Sequence, residues 1–280
     1  MNTAAASPPS RAGRNLPVAI GVGLGLGAVL VACLLLFRPG FPVIVMAAVA
    51  ASVWEMKQTL AAARSMSLVW FPLVIGSAVT VAVAWPWGHT GQSIAVAVTA
   101  LVILAWRFPG GSPGYLGDVT ASIFLLVYLG LFGSFATLLA APSDGAARVL
   151  TFLIAVVCSD TGGYAAGALL GRHPLAPTIS PKKSWEGLIG SLVAAMVGGA
   201  LSVVLLLHHP WWQGLVVGLV LAVVATVGDL AESLMKRDLG VKDMGRLLPG
   251  HGGVMDRLDS LLPSAVVAWI LLSLFVPVPV

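Results

Sequence analysis

The sequence predicts an all-α fold: a polytopic integral membrane protein of about nine transmembrane helices, with its N-terminus in the cytoplasm. Three observations carry this reading. First, 58% of the 280 residues are hydrophobic and only 9% are charged, where an average soluble domain has about 25% charged residues. So few charges cannot cover a globular surface, and so apolar a chain is not disordered, because disorder needs low hydrophobicity and high charge. Second, the apolar residues gather into stretches of about 20, the length of a helix that crosses a bilayer. Third, Lys and Arg fall almost wholly on one side when these stretches alternate across a membrane.

In chain order the stretches lie near 16–37, 41–62, 66–86, 91–108, 119–141, 146–170, 185–207, 211–235 and 260–278. Residues 1–15 are small, polar and basic (Pro8, Pro9, Arg11, Arg14) and read as a disordered tail. The first stretch is too long for a secretory signal. The second carries Glu55 and Lys57 near its end, and the fourth is short. Breakers separate the stretches, among them Arg38-Pro39-Gly40, Trp85-Pro86-Trp87-Gly88 and the Gly- and Pro-rich run 109–114. With the N-terminus inside, thirteen of the fifteen Lys and Arg face the cytoplasm, and only Arg38 and Arg148 face out. Trp85, Trp87, Trp211 and Trp212 then sit in outer turns, as an interfacial aromatic belt would. The helices of 16–145 form one region. The second region, 146–280, holds two long cytoplasmic segments, 171–184 and 236–259, where the chemistry is expected. Cys33 and Cys158 lie in apolar runs without metal or disulfide spacing.

Asp160 lies inside an apolar run, where an ionisable group costs on the order of 3 kcal/mol and marks a functional position by default. The plainer alternative is a helix cap or kink bonded to Thr161 or Tyr164. Gly163, Gly167 and Gly171 recur every four residues and suit close helix packing. Next comes Ile179-Ser180-Pro181-Lys182-Lys183-Ser184-Trp185-Glu186-Gly187. Two lysines beside hydroxyls, just ahead of a helix N-terminus, make a phosphate grip. A basic pair that only anchors lipid head groups would look the same.

The most informative stretch follows. On a helix Asp229, Glu232, Ser233, Lys236 and Arg237 share one face. Asp256 and Asp259 repeat the i, i+3 spacing. Such carboxylate pairs suit a hard cation, and Mg²⁺ takes one or two carboxylates plus substrate phosphates. The Gly250-His251-Gly252-Gly253 turn would bring backbone N–H groups to an anion, although His251 could equally be a loop residue with no role. A solvated salt-bridge network explains the charges but not the clustering of so many carboxylates. The residues alone therefore point to a membrane enzyme that handles phosphate groups with Mg²⁺.

The run Ser233, Lys236-Arg237, Lys242-Asp243, Pro249, His251-Gly252-Gly253 and Asp256-Arg257-Leu258-Asp259 closely resembles the signature of phosphatidate cytidylyltransferases, also called CDP-diacylglycerol synthases. The block from Ser159-Asp160 to Gly187 resembles a second signature of that family, with Gly163 where Ala is usual, Leu170 for Phe, Arg172 for Lys and Ser184 for Thr. The resemblance covers roughly residues 158–261. It implies that CTP and phosphatidic acid give CDP-diacylglycerol and pyrophosphate, in phospholipid biosynthesis at the cell membrane with the site facing the cytoplasm. It also implies catalytic roles for Asp160, Lys182, Lys183, Asp229, Lys236, Arg237, Asp256 and Asp259, with Asp229 and Asp256 expected as Mg²⁺ ligands and Asp259 and Asp160 as further ligands or partners of those ligands. Ser180, Ser233, Lys242, Asp243, His251, Gly252, Gly253 and Arg257 would shape the substrate pocket. No nucleic-acid partner is expected, and the glycine faces permit a homodimer. A transporter would show charges at the midplane of repeated halves, and no repeat is visible. A scaffold would need no acidic cluster, and a CTP-dependent enzyme acting on a polyprenol lipid remains the alternative within enzymes.

Overall fold

The computed structural model describes residues 16–248 and 252–277. The tail expected at 1–15 and the expected site residue His251 lie outside the described residues. The protein is a multi-pass membrane protein built almost wholly of helices: α1 Leu16–Leu36, α2 Phe41–Arg64, α3 Trp70–Trp106, α4 Tyr115–Leu125, α5 Phe132–Ala140, α6 Gly145–Leu170, α7 Trp185–Leu206, α8 Trp211–Leu239, α9 Met255–Leu258 and α10 Leu261–Phe275. A π-helical turn, Leu126–Leu131, joins α4 to α5. The segment expected as a loop before α7 is a small antiparallel hairpin, β1 Pro174–Ala176 and β2 Ser180–Ser184.

Among the described residues seven helical segments are long and apolar enough to cross a membrane, against the nine expected. The difference has two sources. The expected spans 66–86 and 91–108 form one continuous segment, because the turn between them contains a single non-helical residue, Gly88 (φ 54°, ψ −139°). Helix α3 is nevertheless bent back on itself. Asp118 accepts the Ser67 N–H through one carboxylate oxygen and the Arg107 guanidinium through the other, so residues just before and just after α3 meet at one side chain. The first expected span is present as α1, Leu16–Leu36, of which the side chains are described only over Gly21–Leu36, and so it falls outside that count.

Lipid tails are as apolar as leucine, so helices in a bilayer gain little by hiding leucines from one another. Close backbone approach through small residues takes over. Gly162, Gly163 and Gly167 of α6 meet Gly187, Gly190 and Ser191 of α7, and Gly199 of α7 meets Gly214 and Gly218 of α8. The expected packing role of Gly163 and Gly167 is thus realised within the chain. A Cβ at Gly218 would run into the Ala195 backbone, whereas a Cβ at Gly25 on α1 meets nothing within 4 Å. Gly218→Val is therefore expected to cost about 1–3 kcal/mol by overpacking. Thermal unfolding in detergent checks this, with Gly25→Val melting as the wild type does.

Two buried clusters form. One joins α2, α3, α4 and the π turn, and includes Met244 and Met255. The other joins α5, α6, α7, α8 and α10. The two methionines anchor the ends of the segment between α8 and α9 and so hold the expected signature against the bundle. Helix α8 stops at Gly240, whose left-handed φ of 68° lets its N–H return to the carbonyls of Lys236 and Arg237.

Candidate active site

Helix α6, the β hairpin, the start of α7, the end of α8 and the α9 turn enclose a cavity of about 430 Å³. Local rules place each side chain. Asp160 lies on the α6 face that also presents Gly163, Tyr164 and Gly167 to the cavity. Ser184 caps α7 by accepting the Gly187 N–H at 3.1 Å, so Lys182 and Lys183 stand on β2 immediately ahead of a helix N-terminus. Glu186 secures the base of the hairpin. One of its oxygens accepts the N–H groups of Arg172 and His173, and the other meets the His173 imidazole at 2.6 Å. Arg237 secures the hairpin turn by donating from Nε to the Ile179 carbonyl at 3.3 Å.

The carboxylates divide into two settings. Asp229 faces Lys183 across the cavity, with Nζ 2.5 Å from Oδ2, and the Ser233 hydroxyl stands 3.5 Å from its other oxygen. Asp256 is held from three directions. Lys236 Nζ lies 2.6 Å from Oδ1, the Met244 N–H points at both oxygens, and the Gly253 N–H donates to Oδ2 at 2.9 Å. Lys236 also bonds Glu232 Oε2 at 2.6 Å. Glu232 is fully buried, and its Oε1 has no hydrogen-bond partner among the described residues. Asp259 accepts the N–H of Ser260 at 2.7 Å, and its own carbonyl accepts the Tyr128 hydroxyl at 3.4 Å. Gly228 lets that carbonyl pack directly on α8, which sets Asp259 beside the turn that carries Asp229.

Of the residues expected from sequence, Asp160, Lys182, Lys183, Asp229, Asp256, Arg257 and Asp259 line this one cavity. Ser233, Lys236 and Arg237 stand behind it and hold its walls. Ser180 opens β2 opposite Ala176, away from the lining. Lys242 and Asp243 are exposed on the segment after α8, also outside the lining. The backbone N–H groups of Gly252 and Gly253 are directed inward, to the Leu248 carbonyl and to Asp256. The sequence reading missed Ser191 and Thr226, two lining hydroxyls with no signal in an apolar helix. It also missed Glu55 as part of this region, although the rule applied to Asp160, a carboxylate in an apolar run, would have found it.

The donor set fits Mg²⁺ in kind. Asp229, Asp256, Asp259 and Asp160 bring hard oxygens to one cavity. Among the described residues, however, no three carboxylates are gathered closely enough to hold an ion by themselves.

A family model described as the cytidylyltransferase family matches residues 18–275. A phosphatidate cytidylyltransferase of Mycobacterium leprae (strain TN) is 47% identical over 281 aligned residues, covering 94% of this chain and 89% of that protein. One from Mycobacterium bovis is 44% identical, covering 96% of this chain and 92% of its own. One from Brucella suis biovar 1 is 39% identical over 176 residues, 62% of each chain.

Proposed function

From the premise that the chain belongs to the cytidylyltransferase family, we propose that it transfers CMP from CTP to phosphatidic acid, giving CDP-diacylglycerol and pyrophosphate for phospholipid synthesis. One observation supports this most: two lysines, an arginine and four aspartates share one cavity at the ends of membrane-spanning helices. A lipid phosphate and a nucleoside triphosphate can meet there while the acyl tails stay in the bilayer.

The phosphate oxygen of phosphatidic acid attacks the α-phosphorus of CTP. The new P–O bond forms as the bond from the α-phosphorus to the bridging oxygen breaks, and pyrophosphate leaves with that electron pair. The attacking phosphate is already ionised at neutral pH, so neither a side-chain nucleophile nor a general base is required. The barrier is repulsion between anions and their misalignment, so catalysis lies in charge neutralisation and positioning. Lys182, Lys183 and Arg257 neutralise phosphate oxygens, and the positive end of the α7 dipole adds to them. Asp229 and Asp259, with Asp160 beside them, would hold Mg²⁺, which would supply positive charge to the triphosphate. Asp256, expected from sequence as a Mg²⁺ ligand, already accepts Lys236 and two backbone N–H groups, so in this reading it is instead the strut that fixes the α9 turn and the position of Lys236. In this reading the cavity end of the bundle faces the cytoplasm, where CTP is, and the membrane is the cell membrane; the positive-inside count supports that orientation.

The test uses purified protein in detergent–lipid micelles with phosphatidic acid and Mg²⁺. CTP or ATP is supplied, and pyrophosphate and the lipid product are followed beside Asp256→Ala. The expected result is CDP-diacylglycerol from CTP alone, abolished in the variant. No product from phosphatidic acid, with turnover of a polyprenol or polyprenyl phosphate instead, would overturn the assignment of substrate.

A further inference from the structure

Helix α2 contributes no residue to the cavity lining, yet it carries a carboxylate in the middle of the packing. Glu55 is 3% exposed. A carboxylate in an apolar span is costly unless its oxygens are occupied, and here both are occupied by backbone. Oε1 accepts the Leu247 N–H at 3.2 Å, and Oε2 accepts the Met255 N–H at 3.0 Å. One turn along α2, the Thr59 hydroxyl donates to the Met244 carbonyl at 2.7 Å. These bonds take hold of the segment between α8 and α9 at both of its ends.

The fit around Glu55 is tight. A Cβ at Gly253 would stand 2.7 Å from Glu55 Oε2 and 2.8 Å from Asp256 Oδ2, and one at Gly245 would strike the Glu55 side chain. Two carboxylates from distant parts of the chain therefore converge on the same glycine. Glu55 takes the N–H of Met255, and the next residue, Asp256, takes Lys236. A shift of the Met255 amide moves Asp256 with it, and Asp259 one turn on.

We infer that Glu55 is a positioning residue for the transfer reaction: by binding the amides of Leu247 and Met255 it sets the α9 turn so that Asp256 reaches Lys236 and Asp259 reaches the cavity. The inference rests on the proposed cytidylyl transfer. A purely structural Glu55 would affect how much protein is folded but not the turnover of each folded molecule.

Glu55→Ala, Glu55→Gln and Thr59→Ala are assayed with CTP and phosphatidic acid well below their melting temperatures, beside the wild type. In Glu55→Ala, kcat should fall about tenfold or more, as loss of a charged hydrogen-bond acceptor implies, with KM for both substrates little changed. Glu55→Gln should fall between it and the wild type, because its carbonyl oxygen replaces one of the two acceptors. Thr59→Ala, which leaves Glu55 in place, should lower kcat about threefold. Wild-type kcat in folded Glu55→Ala and Glu55→Gln overturns the inference, whatever their melting temperatures. If neither Glu55 variant folds, Thr59→Ala decides in the same way. If the wild type itself makes no CDP-diacylglycerol, the proposed reaction fails first, and the inference falls with it.

Discussion

Lys236→Met is expected to lower the rate of CDP-diacylglycerol formation about a hundredfold or more and to destabilise the protein by about 3–5 kcal/mol. Both effects follow from one ammonium group. Lys236 Nζ lies 2.6 Å from Glu232 Oε2 and 2.6 Å from Asp256 Oδ1, and it separates two carboxylates that are otherwise buried together. Removing a partner from a buried pair leaves an uncompensated charge, which costs far more than the pair contributes when intact. Initial rates and thermal unfolding in detergent measure the two losses. A second variant separates them. Glu232→Gln in the Lys236→Met background removes one of the stranded charges, so stability should largely return. Activity should not, because Asp256 still lacks the partner that sets its position. Lys236→Met with wild-type rate and stability would show that the bridge has no consequence.

Arg148→Met is expected to be as destabilising, about 3–5 kcal/mol, and to leave the chemistry alone. Arg148 is 2% exposed. Its Nε bonds Asp144 at 2.8 Å, and its two terminal nitrogens donate to the carbonyls of Leu272 and Val276 at 3.1 and 2.7 Å. The last carbonyls of a helix have no partner within the helix, and a cation there also meets the negative end of the dipole. Arg148 thus clasps the end of α10 to the start of α6. Without it a half-buried Asp144 and the Val276 carbonyl lose their partner, and the Leu272 carbonyl keeps only the Val276 N–H. The cavity residues lie at the opposite end of α6, so KM and kcat of the folded fraction should match the wild type while the melting temperature drops. Loss of kcat in fully folded Arg148→Met would show that the two ends of the bundle are coupled.

The contrast between these two residues measures what was legible in the sequence. Lys236 announces itself: it shares a helical face with Asp229, Glu232 and Ser233, and polar residues at that spacing in a membrane helix have few explanations. Asp160, Lys182, Lys183, Asp256 and Asp259 are legible on the same grounds, each being a charge at the end of an apolar run or inside one. Arg148 reads in sequence only as one of two basic residues in outer turns. Its three partners lie on its own helix start and on a helix more than a hundred residues away, and no local pattern encodes that meeting. Glu55 is the intermediate case. Its cost is visible in sequence, but its partners are backbone amides, which carry no residue identity to search for. The hairpin at 174–184 is similar: its strands are too short for period-two alternation to emerge, and pairing with each other and with Glu186 forms them.

What the sequence by itself determined is the class of molecule, the breakers that separate most of its helices, and the residue types that bring charge into an apolar environment. These follow from hydropathy, from breakers and from the cost of burying charge, which are local properties of the chain. The tertiary structure alone decided which charges meet. It paired Lys183 with Asp229, gave Asp256 to Lys236 and to two backbone amides, directed the Gly252 and Gly253 amides inward, and brought α2 to brace a segment two hundred residues later. The physical reason is range. Helix formation is settled within a few residues, whereas a carboxylate's partner is settled by which helices can approach closely, and here glycine-lined contacts set that approach.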